Sequence, residues 1–345
     1  MKKVINNTYI VKKTNEEAIR TILKQNGRVT IALLSKLTGL SVATCGNILN
    51  ELLSNNEVIE TELENSTGGR RARQFQLNAN YKQVAGLAVS NEGGIHSIDV
   101  VVANWIGDPL HSETLYYEEI TYSVIEGLVG KLVKEFPNIQ GVGIGIPGVV
   151  SHGVIGICDI KNLINIPIKD RIEASHSIKV NVENEIHYAL SGFYKKQNYK
   201  EPKTIAMLAF IKDNPPGARF IVNGHPLKGA TNFAGEISFL PLEGSWNEQL
   251  EKLYNPDTSI SVVVKMIAST ISIMNPEAIV LIGGLSNKMS IDEIYERCSE
   301  LIPKEHMPKL FLLENVREYY RNGLITLTLE TLQFNIKLIE RGQNL

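Results

Sequence analysis

Apolar residues in the first eighty positions recur at three- and four-residue spacing, broken by short polar turns. Ala18, Ile19, Ile22 and Leu23 form one helical stripe. Thr14-Asn15-Glu16-Glu17 in front of it reads as a capping box, and Gly27 stops it. A second short helix is predicted over 31–37, with Leu33, Leu34 and Leu37 inward. Thr38-Gly39-Leu40 makes a tight turn, and Ser41 caps a third helix whose apolar face is Cys45, Ile48, Leu49, Leu52 and Leu53. Residues 58–62 and 74–77 alternate like the two strands of a hairpin. From Gln83 the pattern changes. Apolar runs at 84–89, 97–103, 141–150, 154–157, 204–211, 219–224 and 278–282 read as strands. Helical patterns at 123–135, 189–194 and 259–274 alternate with them, which predicts an α/β body.

Two short helices, a glycine-containing turn and a third helix opening on serine make the pattern of a helix-turn-helix. The third helix would lie in the major groove. Ser41, Val42, Thr44 and Asn47 at its exposed start are small or amide-bearing and can reach base edges. Between the two hairpin strands lies Ser66-Thr67-Gly68-Gly69-Arg70-Arg71-Ala72-Arg73. Two glycines followed by Arg70, Arg71 and Arg73 predict a wing whose tip enters the minor groove or grips phosphates.

Charge and cysteine content narrow the partners. The chain has 345 residues and a formal net charge of -2, so contact with double-stranded operator DNA must come from a local basic patch. The three cysteines, Cys45, Cys158 and Cys298, lie far apart and form no CxxC pair, which fits a reducing cytoplasm. No apolar run is long enough to span a bilayer, so no membrane partner is expected.

Chemistry concentrates at Asn181–Leu190, where a short strand runs into a helix. Glu183, Asn184, Glu185 and His187 crowd that junction, a place where backbone donors are free to bind ligands. A solvated helix N-terminus with acidic residues along its dipole is the other reading of the same residues.

Four segments resemble the ROK family, the repressor, open-reading-frame and kinase group. They are Gly69-Arg70-Arg71 behind the helix-turn-helix, 143–150 with its glycines and Pro147-Gly148, the glycine loop 229–238 with Gly235-Glu236-Ile237, and 276–284 ending in Gly283-Gly284. The resemblance covers nearly the whole chain, from Thr14 onward. It implies a multidomain protein, with a winged helix-turn-helix over 1–80 and a two-lobe body over 81–345. The body would be α/β and actin-like or hexokinase-like (ribonuclease H-like). Residues 81–188 with a C-terminal helix at about 330–345 would form the first lobe, and 189–329 the second. Asn162, Asn184, Glu185 and Glu236 match family positions that contact sugar hydroxyls, a task suited to amides and carboxylates.

Three departures from the family point away from catalysis. The acidic residue and Gly-Gly-Thr of the phosphate loop are replaced by 88–96, where Gly93-Gly94 reads as a plain turn. Glu185 stands where the family has its aspartate base, one methylene longer, and a misplacement of about 1 Å can cost on the order of a hundredfold. Phe239 stands in place of the zinc-binding histidine, and no cysteine lies between Cys158 and Cys298, so no metal is expected. Leu242 and Trp246 are expected to hold that region by packing.

The expectation is a transcriptional regulator, read as a repressor of carbohydrate genes, with no catalytic residue and no cofactor. It would bind operator DNA as a homodimer or dimer of dimers and respond to a sugar or sugar phosphate. The alternatives are a ROK sugar kinase with Glu185 as its base, and a DNA-binding protein without a ligand.

Overall fold

The structure is a computed structural model that describes residues 7–61, 73–211, 214–242, 244–255, 257–284 and 290–333. The expected wing tip, with Arg70 and Arg71, lies outside them. The N-terminal unit runs α1 (Asn7–Asn26), β1 (Val29–Thr30), α2 (Ile31–Thr38), α3 (Val42–Ser54), β2 (Val58–Thr61) and β3 (Gln74–Leu77). The three strands form one small antiparallel sheet in the order β1-β3-β2. Cys45, Ile48, Leu49 and Leu52 are the buried face of α3, as their spacing predicts. The capping box expected at Thr14 does not form. Helix α1 starts seven residues earlier, so the Thr14 hydroxyl instead donates to the Ile10 carbonyl from inside the helix (2.9 Å).

The body begins with β4 (Gln83–Glu92), β5 (Ile95–Asn104), β6 (Pro109–Tyr117), α4 (Tyr122–Glu135) and β7 (Ile139–Ile146). The run predicted as one strand over 141–150 breaks at Pro147, which cannot donate to a ladder, and continues as β8 (Gly148–Ser151) paired with β9 (Val154–Cys158). Then come α5 (Ile168–His176), β10 (Lys179–Asn184), α6 (Glu185–Lys196), β11 (Ile205–Ala209), β12 (Gly217–Val222) and β13 (His225–Leu227). The chain continues as α7 (Trp246–Tyr254), α8 (Ser259–Met274), β14 (Ala278–Ile282), α9 (Ile291–Ser299), β15 (Lys309–Leu313) and α10 (Arg317–Thr331). Strand β6, helices α5, α7 and α9, and strands β13 and β15 are additions to the sequence reading.

Two five-stranded sheets result, β6-β5-β4-β7-β10 and β13-β12-β11-β14-β15. Numbered within each lobe, both have the order 3-2-1-4-5, with the first three strands antiparallel and the last two parallel to the first. This repeated α/β unit is the ribonuclease H-like plan of an actin-like body.

Helix α10 decides how the pieces join. It leaves the second sheet and lies back across β4, β7 and β10 of the first, so Arg317–Thr331 is a returning helix, and most of the helix expected at about 330–345 lies outside the described residues. Strand β7 accommodates it by placing Gly141, Gly143 and Gly145 on one face. A Cβ on Gly143 would stand 2.2 Å from the Thr328 hydroxyl, and one on Gly145 would stand 1.8 Å from that of Tyr320. The opposite face carries Val142, Ile144 and Ile146 into the first-lobe core. The glycine-rich strand is thus a docking groove for a helix.

Helices α6 and α10 cross closely. The backbone at Gly192 meets the Tyr319 carbonyl, and that at Gly323 meets the Tyr188 carbonyl. Farther along α10, Ile325 and Leu329 join an apolar cluster with Val101 and Trp105 of the first lobe and Leu34, Leu49, Val58 and Phe75 of the N-terminal unit. The N-terminal unit and the first lobe therefore share one core.

Candidate functional site

A cleft of about 240 Å³ opens between the lobes at the start of α6. The first lobe contributes the turn at Pro147–Val149, Cys158, Asp159, Asn184 and Glu185, and the second contributes Arg219, Glu236, Phe239 and Trp246. Local structure explains how they converge. Asn184 ends β10 and caps α6. Its Oδ1 accepts from the Ile186 amide (2.9 Å), and its Nδ2 donates to the Gly148 carbonyl (2.8 Å). One buried amide thus ties the Pro-Gly turn to the helix that carries Glu185.

Glu236 sits on the glycine loop after β13 and is held by Arg219, whose Nη2 donates to its Oε1 (2.8 Å). Arg219 also donates to its own neighbour, the Ala218 carbonyl (2.6 Å). Burial pushes the Cys158 thiol up to about 11, so it lines the cleft as a neutral group.

Of the expected ligand residues, Asn184, Glu185 and Glu236 are brought together and Asn162 is not. Asn162 lies in a short 3-10 turn, exposed, with its amide donating to Glu119. Two changes of direction after Pro147 carry it away from the cleft. Arg219 is a site residue that sequence reasoning missed. It stands in the strand β12, where nothing local distinguishes it from a surface arginine, although its burial requires a carboxylate partner.

Trp246, expected as packing, is instead half-exposed on the cleft and stacks on Phe239 (centroids 6.1 Å, 28° between planes). The region in which the family resemblance sets zinc ligands is held by Gln249. Its side chain donates to the Ser238 carbonyl (3.0 Å) and accepts from the Leu242 amide (3.2 Å). Among the described residues no group of three or more His, Cys, Asp and Glu could hold a metal ion.

A second cavity of about 330 Å³ meets the first at Glu185 and is lined by Ser90, Asp99, Glu314, Arg317 and Tyr320 among others. Its only cation among the described residues is Arg317, which pairs with Asp99 at 3.0 Å. Asp99 also accepts from Thr114 (2.5 Å) and from Arg321 (3.1 and 3.2 Å). Above it, β4 and β5 pair through to Glu92 and Ile95, and Gly93-Gly94 closes them as a two-residue turn with both φ positive (58° and 82°). That turn presents no cationic side chain or hydroxyl to a phosphate.

On the far side of the loop that carries Glu236, two bonds join the lobes. Lys228 donates to Glu183, and Asn232 donates to the Val150 carbonyl (2.6 Å). Glu183 also accepts from His187 Nδ1 (3.2 Å), and the buried Nε2 of His187 has no hydrogen-bond partner among the described residues. Burial alone would raise the Glu183 carboxyl. The hydrogen bond and charge of His187, then Lys228, outweigh it and hold the carboxyl below its ordinary value.

In the N-terminal unit α2 and α3 meet at 116°. Ser41 caps α3, with its hydroxyl accepting from the Thr44 amide (3.0 Å) and 2.8 Å from the Thr44 hydroxyl. Ser41, Val42 and Asn47 are exposed along its start, and Thr44 is half-buried. Arg73 is exposed and pairs with Glu60 across the hairpin (3.3 Å).

Comparison with known proteins fits this geometry. The xylose repressor of Caldicellulosiruptor bescii is 25% identical over 243 residues, covering 67% of this chain and 59% of that one. The xylose repressor of Bacillus subtilis is 24% identical over 68% of this chain and 62% of its own. The chain thus spans about three fifths of the length of these curated relatives. N-acetyl-D-glucosamine kinase of Mannheimia succiniciproducens is 26% identical over 53% of this chain and 77% of its own. Among solved structures, a ROK family transcriptional regulator, a homologue of the E. coli MLC protein, superposes with a TM-score of 0.68 at 16% identity. It covers 92% of this chain and 99% of that one. The ROK hexokinase of Thermus thermophilus gives 0.56 at 16% identity, over 72% and 99%. The model of the ROK family matches residues 88–259, from the first strand of the body to the start of α8, and with the doubled fold and its cleft this establishes that the chain belongs to the ROK family.

Proposed function

We propose that the protein is a sugar-responsive DNA-binding repressor. The N-terminal unit acts as a winged helix-turn-helix, and the interlobe cleft acts as a receptor. In this reading Ser41, Val42, Thr44 and Asn47 face the major groove. Arg70, Arg71 and Arg73 hold phosphates or the minor groove, and the operator is an inverted repeat read by a homodimer or dimer of dimers. Asn184, Glu185 and Glu236 form the receptor, with carboxylates accepting from neighbouring sugar hydroxyls.

The observation that carries the reading is the continuity of packing from cleft to head. Helix α6 begins at Glu185 and is locked to α10 through Gly192 and Gly323. Helix α10 ends in the cluster that holds the N-terminal unit. Closing the lobes on a sugar would therefore shift the base of the head, provided that the ligand binds the closed state more tightly.

A kinase is a weaker fit. Phosphoryl transfer depends on positioned positive charge. The second cavity offers Asp99, Glu185 and Glu314, with its one described cation already on Asp99. The relatives named as repressors support the same choice.

The test is a gel shift of the full chain on promoter fragments from its own locus, with and without a panel of sugars, followed by an assay for ATP turnover with the same panel. The expected result is a sharp operator complex that one sugar releases, with no turnover. Failure to bind any of the fragments would overturn the proposal.

A further inference from the structure

The lining of the cleft selects among saccharides. Its charged side chains are Asp159, Glu185, Glu236 and Arg219, a net of two negative charges, and Arg219 is already engaged by Glu236. A phosphate or carboxylate on the ligand would meet net repulsion from this lining, which has no spare cation among the described residues to offset it.

The outer part of the cleft is of another kind. Phe239 is 53% exposed and Trp246 is 42% exposed, and they lie side by side with their planes 28° apart and their centroids at 6.1 Å. Phe233 continues the row beyond Phe239, with centroids 5.3 Å apart. Exposed aromatic faces of this size are costly to leave in water and suit the flat apolar face of a ring. The volume of about 240 Å³ is at the small end for ligand pockets and holds roughly one sugar ring. The aromatic row extends past that volume, because Phe239 also walls a separate apolar groove of about 390 Å³ with Leu227, Phe233, Ile273 and Met274.

We propose that the effector is an uncharged glycoside of two rings, with one sugar ring held by Glu185 and Glu236 and a second ring, sugar or aryl, stacked on Phe239 and Trp246. This rests on the cleft being a saccharide receptor. The charge of the described lining disfavours sugar phosphates. The second ring replaces water on the aromatic row and so adds affinity to the sugar that is already bound.

Titration calorimetry on the full chain tests this with D-glucose and D-xylose, their methyl and 4-nitrophenyl glycosides, cellobiose, xylobiose and glucose 6-phosphate. The expected result is at least about a tenfold gain for a two-ring probe over its methyl glycoside, the order that covering one ring face supplies. The nitrophenyl and disaccharide arms tell an aryl ring from a second sugar. Phe239→Leu and Trp246→Ala should each erase the gain, read as the ratio of two-ring to single-ring affinity in the same variant, while Trp246→Phe retains it. Equal affinity for one and two rings, a gain that survives both variants, or glucose 6-phosphate binding as tightly as glucose would overturn the inference alone. Absence of binding by every probe would overturn the receptor reading itself, and this inference with it.

Discussion

Removing the Glu236 carboxylate should strand Arg219, and the size of the effect can be worked from their geometry. The two groups are 2.8 Å apart, with side chains 17% and 9% exposed. At that distance unit charges attract by about 1.5 kcal/mol in water and by about 6 kcal/mol at an effective dielectric constant of about 20. Desolvation takes back much of the upper figure. Glu236→Ala leaves the guanidinium, among the described residues, bound only to the Ala218 carbonyl, so it should destabilise the second lobe by about 3 kcal/mol. Arg219→Ala frees a carboxylate that the open cleft can hydrate, which should cost less, about 2 kcal/mol. The double variant should cost about as much as the worse single one, so the coupling should be about 2 kcal/mol. The assay is urea unfolding followed by Trp246 fluorescence in a Trp105→Phe background, since these are the two tryptophans. That signal reads the lobe in question without assuming that the whole chain unfolds in one step. Single effects that add to within about 0.5 kcal/mol would refute the claim that Arg219 holds Glu236.

Gly192→Ala and Gly323→Ala should each cost several kcal/mol, on the order of 3 or more, because a methyl group at either site would stand 1.8 Å from a carbonyl oxygen of the facing helix; a thermal scan showing no loss of Tm would sink the close-crossing account. If the N-terminal unit reads DNA as proposed, Arg70→Ala with Arg71→Ala should weaken operator binding broadly and flatten its salt dependence, and an unchanged slope would remove these arginines from the contact. Glu183 titrates below its ordinary value of 4.5 because it is paired when folded, so its bonds to His187 and Lys228 stabilise the lobe contact above that pH and lose this effect as pH falls through the lower folded value. Accordingly, the difference in unfolding midpoint between the natural chain and Glu183→Gln should be present at neutral pH and close in acid; a difference independent of pH would contradict the assignment.

Much of the fold was legible in the sequence because local chemistry decided it. Ser41 had to cap a helix, since its hydroxyl could reach the Thr44 amide and the apolar face behind it repeated at helical spacing. Gly93-Gly94 could be read as a turn because both residues tolerate positive φ. Pro147 marked a break, but the length of the apolar run around it concealed the two strands on either side. Thr14 misled for a related reason: a capping box is also a sequence that sits comfortably inside a helix when apolar and polar residues upstream continue the pattern.

Pattern and composition by themselves determined the order of helices and strands, the α/β character of the body and the pairing of two carboxylates with an amide at 183–185. Those depend on neighbours a few residues away. The partners of distant residues depend on the path of the whole chain, and only the tertiary structure decided them. It set Arg219 beside Glu236, turned Asn162 toward Glu119, opened the face of Trp246 to the cleft, and gave the glycines of β7 to α10. A buried arginine and a glycine under a helix carry no local mark, because what fixes each of them is a group about seventeen to nearly two hundred residues away, brought close by folding.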